Sequence, residues 1–406
     1  MNAEEMDARD DLRGFRDRFH VPADVIYLCG HSLGLQPKGV RGYVEQELED
    51  WEKLGVDGHF HARNPWMPYH RLLSAKMARV VGAMPDEVVV MNSLTVNLHL
   101  MMVSFYRPTA KRAKILIEKG AFPSDQYAVK SQLRYHGFDV RPSLLEVAGG
   151  DIVDAIEQEG ETIALVLPSG VNYSSGEYYD LECITRAAHG KGCLVGFDLA
   201  HAAGNVPLKL HEWGPDFAVW CTYKYLNSGP GSAGGCFVHE RHAREWQLPR
   251  FAGWWGHDEE SRFRMGPEFR PMAGAEGWQL SNPSILSLAA VRASLDSFDD
   301  AGMERLRAKS EELTGYLERL LNGRFEIITP ANPARRGAQL SIRIPGGDRS
   351  ICNRLAADGV ICDWREPDVL RVAPVPLYNS FHDVFQFVQR FCAMLEVGSL
   401  RSVSLP

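Results

Sequence analysis

Cys193-Leu-Val-Gly-Phe-Asp198-Leu-Ala-His201 is a run of apolar residues that ends in a carboxylate, with an imidazole close behind it. A second run, Phe217-Ala-Val-Trp-Cys-Thr-Tyr223-Lys224, ends in a phenol and an amine. Short runs that are apolar throughout are typical of strands in a parallel sheet covered by helices on both faces. Because ligands bind outside the carboxyl ends of such strands, these polar residues are predicted to meet at one rim of the sheet.

The same alternation extends outward from these two runs over the first two-thirds of the chain. Further apolar runs of strand length are Val88–Met91, Ile115–Ile117, Ile163–Leu167 and Gly235–Val238. Amphipathic segments between the runs include Asp125–Tyr135, Ile152–Gln158 and Leu181–Ala188. Strands interleaved with helices predict an α/β fold with a mainly parallel central sheet.

The pattern changes near Ser284. Two long helical segments, Ser284–Phe298 and Met303–Leu321, lead into a smaller unit. Its predicted strands and helices are Phe325–Ile328, Gln339–Ile344, Ser350–Ala357, Val369–Val372 and Phe381–Leu395. We predict an N-terminal arm (1–40), a large ligand-binding domain (41–283) and a small C-terminal α+β domain (284–406).

Composition excludes several classes of function. The 406 residues are 45% apolar and carry a net charge of −8, without a long basic run, so nucleic acid and membrane surfaces are not predicted partners. No run reaches the ~18 apolar residues of a membrane span. The eight cysteines form no CxxC pair, which favours free thiols in a reducing cytoplasm. Small molecules and other protein chains are the expected partners.

Asp198 and Lys224 have common explanations when each is taken alone. The aspartate can cap a helix, and the lysine can be a solvated residue at the start of a loop. Together, at the ends of two strands that share a rim, they match the needs of pyridoxal phosphate. That cofactor requires a lysine for its aldehyde and an acid for its ring nitrogen. We therefore predict a pyridoxal phosphate site there and no metal site.

Other rim residues are suited to the rest of this cofactor. Leu94 and Thr95 open a predicted helix directly after the first apolar run, and a helix N-terminus with a hydroxyl binds phosphate, although ordinary capping uses the same residues. Ser169 adds a hydroxyl after another run. The segment Phe122-Pro123-Ser124-Asp125 offers an aromatic face to a flat ring. Gly229-Pro-Gly231-Ser-Ala-Gly234 fits GxGxxG, but no helix follows it, so a tight turn is predicted instead of a dinucleotide site.

Several longer motifs resemble the kynureninases, and the resemblance covers nearly the whole chain. The motifs are Cys29-Gly-His-Ser-Leu-Gly-Leu-Gln-Pro, Leu94-Thr95-Val-Asn-Leu-His, Phe122-Pro-Ser-Asp125-Gln-Tyr, Gly196-Phe-Asp198-Leu-Ala-His201, Trp220-Cys-Thr-Tyr223-Lys224-Tyr, Gly253-Trp254-Trp-Gly-His, Ser281-Asn282-Pro283 and Leu370-Arg371-Val-Ala-Pro. One departure is His31, where the family pattern has asparagine.

The resemblance implies the aspartate-aminotransferase type of fold (fold type I) and a homodimer with active sites shared between subunits. It implies that Lys224 carries the cofactor, that Asp198 pairs with the pyridinium, and that Phe122 stacks on the ring near His201. The remaining cofactor-binding residues that it implies are Leu94, Thr95, Pro123, Ser124, Asp125, Ser169 and Tyr223, with Trp254 and Asn282 from the partner subunit.

The implied reaction is hydrolysis of L-kynurenine to anthranilate and L-alanine, a step of tryptophan catabolism. Lys224 would take the α-proton, and Tyr223 is the candidate for a later proton transfer. His59 and Asn282 resemble positions at the aromatic end of the pocket in members that act on 3-hydroxykynurenine. Turnover of both substrates is therefore expected, although the preference between them and the fate of anthranilate stay open. His59 as a surface residue is the alternative.

Arg371 is the expected ligand of the substrate carboxylate. It lies in a predicted strand, and a guanidinium is a planar donor with two prongs. A structural salt bridge to the large domain is the alternative. Arg365, in Trp364-Arg-Glu-Pro, is predicted to face water from a polar turn.

Three rival functions are less consistent with the sequence. A cysteine desulfurase needs a reactive cysteine on a mobile loop, whereas Cys352 and Cys362 lie in a predicted helix and strand. A cofactor-binding transcription regulator needs a basic DNA-binding module, which the first 85 residues do not provide. A non-catalytic scaffold does not account for Lys224, Asp198 and Arg371 together.

Overall fold

A computed structural model describes residues 2–401, so residue 1 and residues 402–406 of the predicted arm and small domain lie outside the described residues. The α-helices are α1 (Ala3–Arg9), α2 (Val40–Leu54), α3 (Gly58–His61), α4 (Arg71–Val81), α5 (Leu94–Phe105), α6 (Pro123–Tyr135), α7 (Val140–Ser143), α8 (Ile152–Glu159), α9 (Leu181–Gly190), α10 (Leu210–Trp213), α11 (Ile285–Ala301), α12 (Met303–Leu321), α13 (Ser350–Ala357) and α14 (Phe381–Arg401). None of these helices is long and apolar enough to cross a membrane.

The strands form a large sheet, a small sheet and a short pair. They are β1 (Ile26–Tyr27), β2 (Val88–Met91), β3 (Lys114–Glu118), β4 (Leu144–Val147), β5 (Ile163–Val166), β6 (Leu194–Asp198), β7 (Phe217–Trp220), β8 (Gly234–Val238), β9 (Glu326–Ile327), β10 (Leu340–Arg343), β11 (Val360–Ile361), β12 (Asp363–Arg365) and β13 (Val369–Val372). The large sheet has the order β2-β8-β7-β6-β5-β3-β4. The run from β7 to β4 is parallel, and β8 is antiparallel to both of its neighbours. The predicted mainly parallel central sheet is confirmed.

Both faces of this sheet are buried. In β3, Leu116 enters one hydrophobic core, whereas Ile115 and Ile117 enter the other. This two-sided burial explains why the central strands read as unbroken apolar runs. Strand β4 was not predicted, because it is an edge strand with partly exposed residues and lacks such a run.

The C-terminal part packs around a core of its own. Its antiparallel sheet has the order β12-β13-β10-β9, and α12, α13 and α14 contribute apolar side chains to that core. Strand β1 crosses from the arm to pair in parallel with β11. Helix α11 packs on α2 and α4 of the large unit. The division at residue 284 stays a prediction.

Candidate active site

A cavity of about 190 Å³ opens at the rim where the central parallel strands end. Strand β6 delivers Asp198 to it, and Ser169 and Lys224 follow β5 and β7. The cavity is lined by Leu94, Thr95, Glu118, Phe122, Ser124, Asp125, Ser169, Val171, Tyr173, Asp198, Ala200, His201, Tyr223 and Lys224. The structure thus brings together ten of the sequence-predicted residues. Pro123, the first residue of α6, lies between two of them.

Lys224 is held by an imidazole and faces an aromatic ring. Its Nζ lies 3.0 Å from Nε2 of His201 and 5.8 Å from the ring centroid of Phe122. Burial, and then the Lys224 charge, lower the pKa of His201 well below its usual value. The imidazole is therefore neutral at pH 7, and its Nε2 can accept a proton of the Lys224 amine in a hydrogen bond.

Asp198 and Asp125 share the floor of the cavity. Oδ1 of Asp198 accepts a 2.6 Å hydrogen bond from the Ala200 backbone N–H. Burial and the neighbouring Asp198 raise the pKa of Asp125 well above its usual value. Oδ1 of Asp125 is buried without a hydrogen-bond partner. A buried carboxyl oxygen left unpaired in a cavity calls for a polar ligand.

Glu118 is a cavity residue that was not predicted. Its side chain is 1% exposed, and its two carboxylate oxygens accept bonds from Ser169 Oγ at 2.6 Å and Ser169 N at 3.0 Å. Burial raises the pKa of Glu118 to about 7. Glu118 ends an apolar strand, as Asp198 does, so the pattern that indicates Asp198 in the sequence also indicates Glu118.

The N-termini of two helices meet at the cavity and form a candidate anion site. Helices α5 and α6 both begin there, and Thr95 Oγ1 lies 2.8 Å from Ser124 Oγ. Two helix N-termini point their free N–H groups and positive dipole ends at this place. The cavity thus offers an amine, a carboxylate, an aromatic face and an anion site, which is the donor set that pyridoxal phosphate requires.

Arg371 lies behind Tyr173, outside the lining of the cavity. It is 1% exposed, donates a 2.6 Å bond to the Tyr173 carbonyl and pairs with Asp363. Although burial acts to raise it, bonding to His31 and the Arg371 charge hold the pKa of Asp363 below its usual range. Nε of Arg371 is buried and unpaired, so one donor of its planar fork is free.

Two residues near Arg371 refine the sequence analysis. Arg365 does not lie in a polar turn: it ends strand β12, and its guanidinium lies 3.1 Å from Asp363. The departure His31 is fully buried, with Nε2 3.5 Å from Asp363 and its ring 6.5 Å from that of His201. Burial lowers the pKa of His31 to about 4, so this imidazole is neutral at pH 7.

Three further predicted residues lie outside the cavity of their own chain. Asn282 is exposed, Trp254 is 39% exposed, and Nδ1 of His59 bonds the Val56 carbonyl. Trp254 belongs to an exposed aromatic patch, which we define as Phe60, Trp254 and Phe263. Phe263 joins the other two rings, with centroid separations of 6.3 Å to Phe60 and 5.4 Å to Trp254.

Comparison with known proteins supports the family resemblance that the sequence motifs indicate. A family model, the kynureninase C-terminal domain, matches residues 306–391. The chain is 64% identical to a kynureninase of Koribacter versatilis (strain Ellin345) over 96% of both chains. It is 59% identical to a kynureninase of Myxococcus xanthus (strain DK1622) over 95% of both. An apo cysteine desulfurase from Thermococcus onnurineus NA1 superposes with a TM-score of 0.75 at 17% identity, covering 98% of both chains; this likeness concerns the fold alone.

Glu118→Gln is expected to change how stability depends on pH. The folded-state pKa is raised from 4.5 to about 7, so the folded protein binds this proton more tightly than the unfolded chain does. Glu118 therefore contributes stability below about pH 4.5 and loses that contribution as the pH rises toward 7. Without cofactor, the free energy of unfolding of the glutamine variant should rise by roughly 1–3 kcal/mol relative to that of wild type between pH 5 and pH 8.

Urea unfolding at the two pH values measures this difference. Glu146→Gln is the matched control, since Glu146 is exposed on the neighbouring strand β4 and pairs in register with Ile117. If wild type and Glu118→Gln differed in their free energy of unfolding by the same amount at both pH values, the raised pKa of Glu118 would be refuted.

Proposed function

The chain belongs to the kynureninase family, and on that premise we propose how its residues perform the reaction. The activity is hydrolysis of the β–γ carbon–carbon bond of L-kynurenine to anthranilate and L-alanine, with pyridoxal phosphate as cofactor. The assignment of roles to residues rests on the cavity at the rim of the central sheet. There the Lys224 amine, the Asp198 carboxylate and two helix N-termini meet.

The cavity residues divide by the part of the cofactor that they hold. Lys224 would hold the aldehyde carbon, Asp198 the ring nitrogen, and Phe122 and His201 the ring. The phosphate would be held at the two helix N-termini by Leu94, Thr95, Pro123, Ser124 and Tyr223, and Ser169 would contact the cofactor as well. When bound, pyridoxal phosphate supplies an electron sink for carbanions next to the substrate amine.

Proton transfers fall to Lys224 and Tyr223. The Lys224 amine would remove the α-proton of the substrate. The neutral His201, 3.0 Å from Nζ, accepts a hydrogen bond that keeps this amine directed at the cavity. Burial raises the pKa of Tyr223, so its phenol keeps its proton at pH 7. After water has added to the γ-ketone and the bond has broken, this phenol donates a proton to the β-carbon that anthranilate leaves behind.

Glu118 and Asp125 act as positioning residues. Glu118 accepts one hydrogen bond from the Ser169 hydroxyl and one from the Ser169 backbone N–H, and the two bonds together fix the position of that hydroxyl. Asp125 is protonated beside Asp198, because two buried carboxylates at close range do not both ionise. This arrangement leaves the charge of Asp198 for the ring nitrogen.

Arg371 binds the α-carboxylate of the substrate. Its unpaired Nε lies in the same planar fork as the nitrogen that bonds Tyr173, a residue of the cavity lining. Asp363 pairs with Nη2 of Arg371 and so fixes the orientation of the guanidinium. The Arg371–Asp363 ion pair lies within the small sheet, whereas the contact of Arg371 with the large unit is a hydrogen bond to the Tyr173 carbonyl.

The enzyme works as a homodimer that shares its active sites. The exposed patch of Phe60, Trp254 and Phe263 is apolar surface of the kind that a partner chain covers. His59 adjoins Phe60 in sequence, so the patch and the predicted partner-contributed residues form one region. We place Trp254, Asn282 and His59 at the aromatic end of the partner's cavity, where both kynurenine and 3-hydroxykynurenine are accepted. All eight cysteines are free thiols, which supports a cytoplasmic location.

Lys224→Ala should lower turnover of kynurenine at least about 10³-fold, since both covalent attachment and proton transfer are lost. Borohydride treatment of the wild-type enzyme should fix pyridoxal phosphate on the tryptic peptide that contains Lys224. Lys209→Ala, at an exposed lysine, is the control and should retain activity. Label on a different lysine would remove Lys224 from its role.

Arg371→Ala should reduce kcat/KM about 10- to 150-fold, because a charge-assisted bond of roughly 1.5–3 kcal/mol is lost. Arg371→Lys should recover part of this loss. The cofactor absorbance should stay normal in both variants. Arg343→Ala, on the neighbouring strand at a solvent-exposed arginine, is the matched control. Loss of bound cofactor in Arg371→Lys, with an unchanged KM, would favour a purely structural role.

Hybrid dimers test the shared site. Lys224→Ala and Trp254→Ala are each expected to be inactive alone. Mixed and allowed to exchange subunits, they should recover about a quarter of wild-type activity, because half of the dimers then hold one intact site. Lys224→Ala mixed with Asp198→Ala should stay inactive, since both defects lie in the chain that holds the cofactor. Equal results for the two mixtures would contradict sharing.

A further inference from the structure

Two thiols lie in contact beside the arginine of the site. Sγ of Cys352, in helix α13, is 3.6 Å from Sγ of Cys362, in the link between β11 and β12. Both side chains are partly exposed, so small oxidants in solvent can reach them. A disulfide bond is about 2.05 Å long, so bond formation requires the two sulfur atoms to approach by only about 1.5 Å.

The position of Cys362 connects this pair to substrate binding. The next residue, Asp363, is the carboxylate that holds Arg371 and also lies 3.5 Å from His31. Asp363 begins β12, the edge strand of the small sheet, which pairs only with β13 within the described residues. A strand held on one side moves more easily than a central one.

We propose that Cys352 and Cys362 form a reversible modification site, where oxidation by a peroxide makes a disulfide that draws Asp363 away from Arg371 and weakens binding of the substrate carboxylate. The effect on substrate rests on the proposed function. The formation of the disulfide does not.

The chemistry of the pair needs one peroxide molecule. The Cys352 thiolate attacks a peroxide oxygen, the O–O bond breaks, and a sulfenic acid and hydroxide form; the hydroxide takes a proton to become water. Cys362 sulfur then attacks the sulfenic sulfur, and its thiol proton leaves with the hydroxyl group as a second water. Two thiols lose two electrons, and hydrogen peroxide is reduced to two waters. A small thiol reverses the reaction by exchange.

The surroundings favour oxidation of this pair over that of four other cysteines. The hydrogen bond from Cys362 lowers the pKa of Cys352, which raises its thiolate fraction. Burial raises the pKa of Cys193, Cys221 and Cys236, and that of the nearby Cys29 to about 12. These four stay protonated thiols at pH 7.

Peptide mapping of the holoenzyme tests the disulfide directly. Trypsin cuts after Arg349, Arg354 and Arg365, which separates Ser350–Arg354 from Leu355–Arg365 with one cysteine in each. After hydrogen peroxide treatment, the two peptides should appear joined, lighter than their sum by two hydrogen atoms, and should separate on reduction with dithiothreitol. Unjoined peptides, or Cys362 joined to Cys29, would overturn the proposal.

Kinetics test the consequence for the site. Oxidised wild type should show a KM for kynurenine about tenfold higher, with unchanged cofactor absorbance and full recovery on reduction. Cys352→Ser should be insensitive to peroxide, whereas Cys183→Ser, at a partly exposed cysteine of α9, should respond like wild type. Joined peptides with an unchanged KM would refute the link to Arg371. If reduced wild type released no anthranilate, the proposed function would fail, and the peptide map would still decide the disulfide.

Discussion

Charge balance around one amine governs the architecture of the site. Lys224 faces three carboxylates, Asp198, Asp125 and Glu118, in a cavity whose walls are largely buried. Water cannot compensate these charges, so each carboxylate needs its own partner or its own proton. Ser169 provides the partner for Glu118, and the proximity of Asp198 keeps a proton on Asp125. The central sheet supplies the rigidity that this arrangement requires, because its strand ends hold the groups at fixed separations.

The central sheet and the inner part of the cavity could be predicted from sequence because one physical rule governs both. Strands buried on two faces are apolar throughout, so a polar residue at the end of such a run is conspicuous, as Asp198 and Lys224 are. The same rule covers Glu118, which lies one residue beyond the predicted run Ile115–Ile117 and is therefore absent from the predicted site. Strand β4 follows no such rule, since an edge strand needs only one buried face.

Residues of the outer site depend on contacts between distant segments, and local sequence carries little information about them. Arg365 was predicted in a turn from its polar neighbours, yet strand β12 pairs it beside Asp363. The burial of His31 depends on the crossing of strand β1 to the small unit. Trp254 and His59 lie outside their own chain's cavity, so only the family resemblance assigned them to a site.

The pairing of β1 with β11 also has a consequence for biosynthesis. Residues 26–29 leave the ribosome more than 300 residues before their partners at 360–373. The pairing of the arm with the small unit must therefore wait until those partners have been made. The central sheet, formed from residues 88–238, can assemble long before then. Chain segments with such long sequence separation form contacts slowly, so the nascent protein passes through a stage in which the central sheet is formed and the arm is still unpaired.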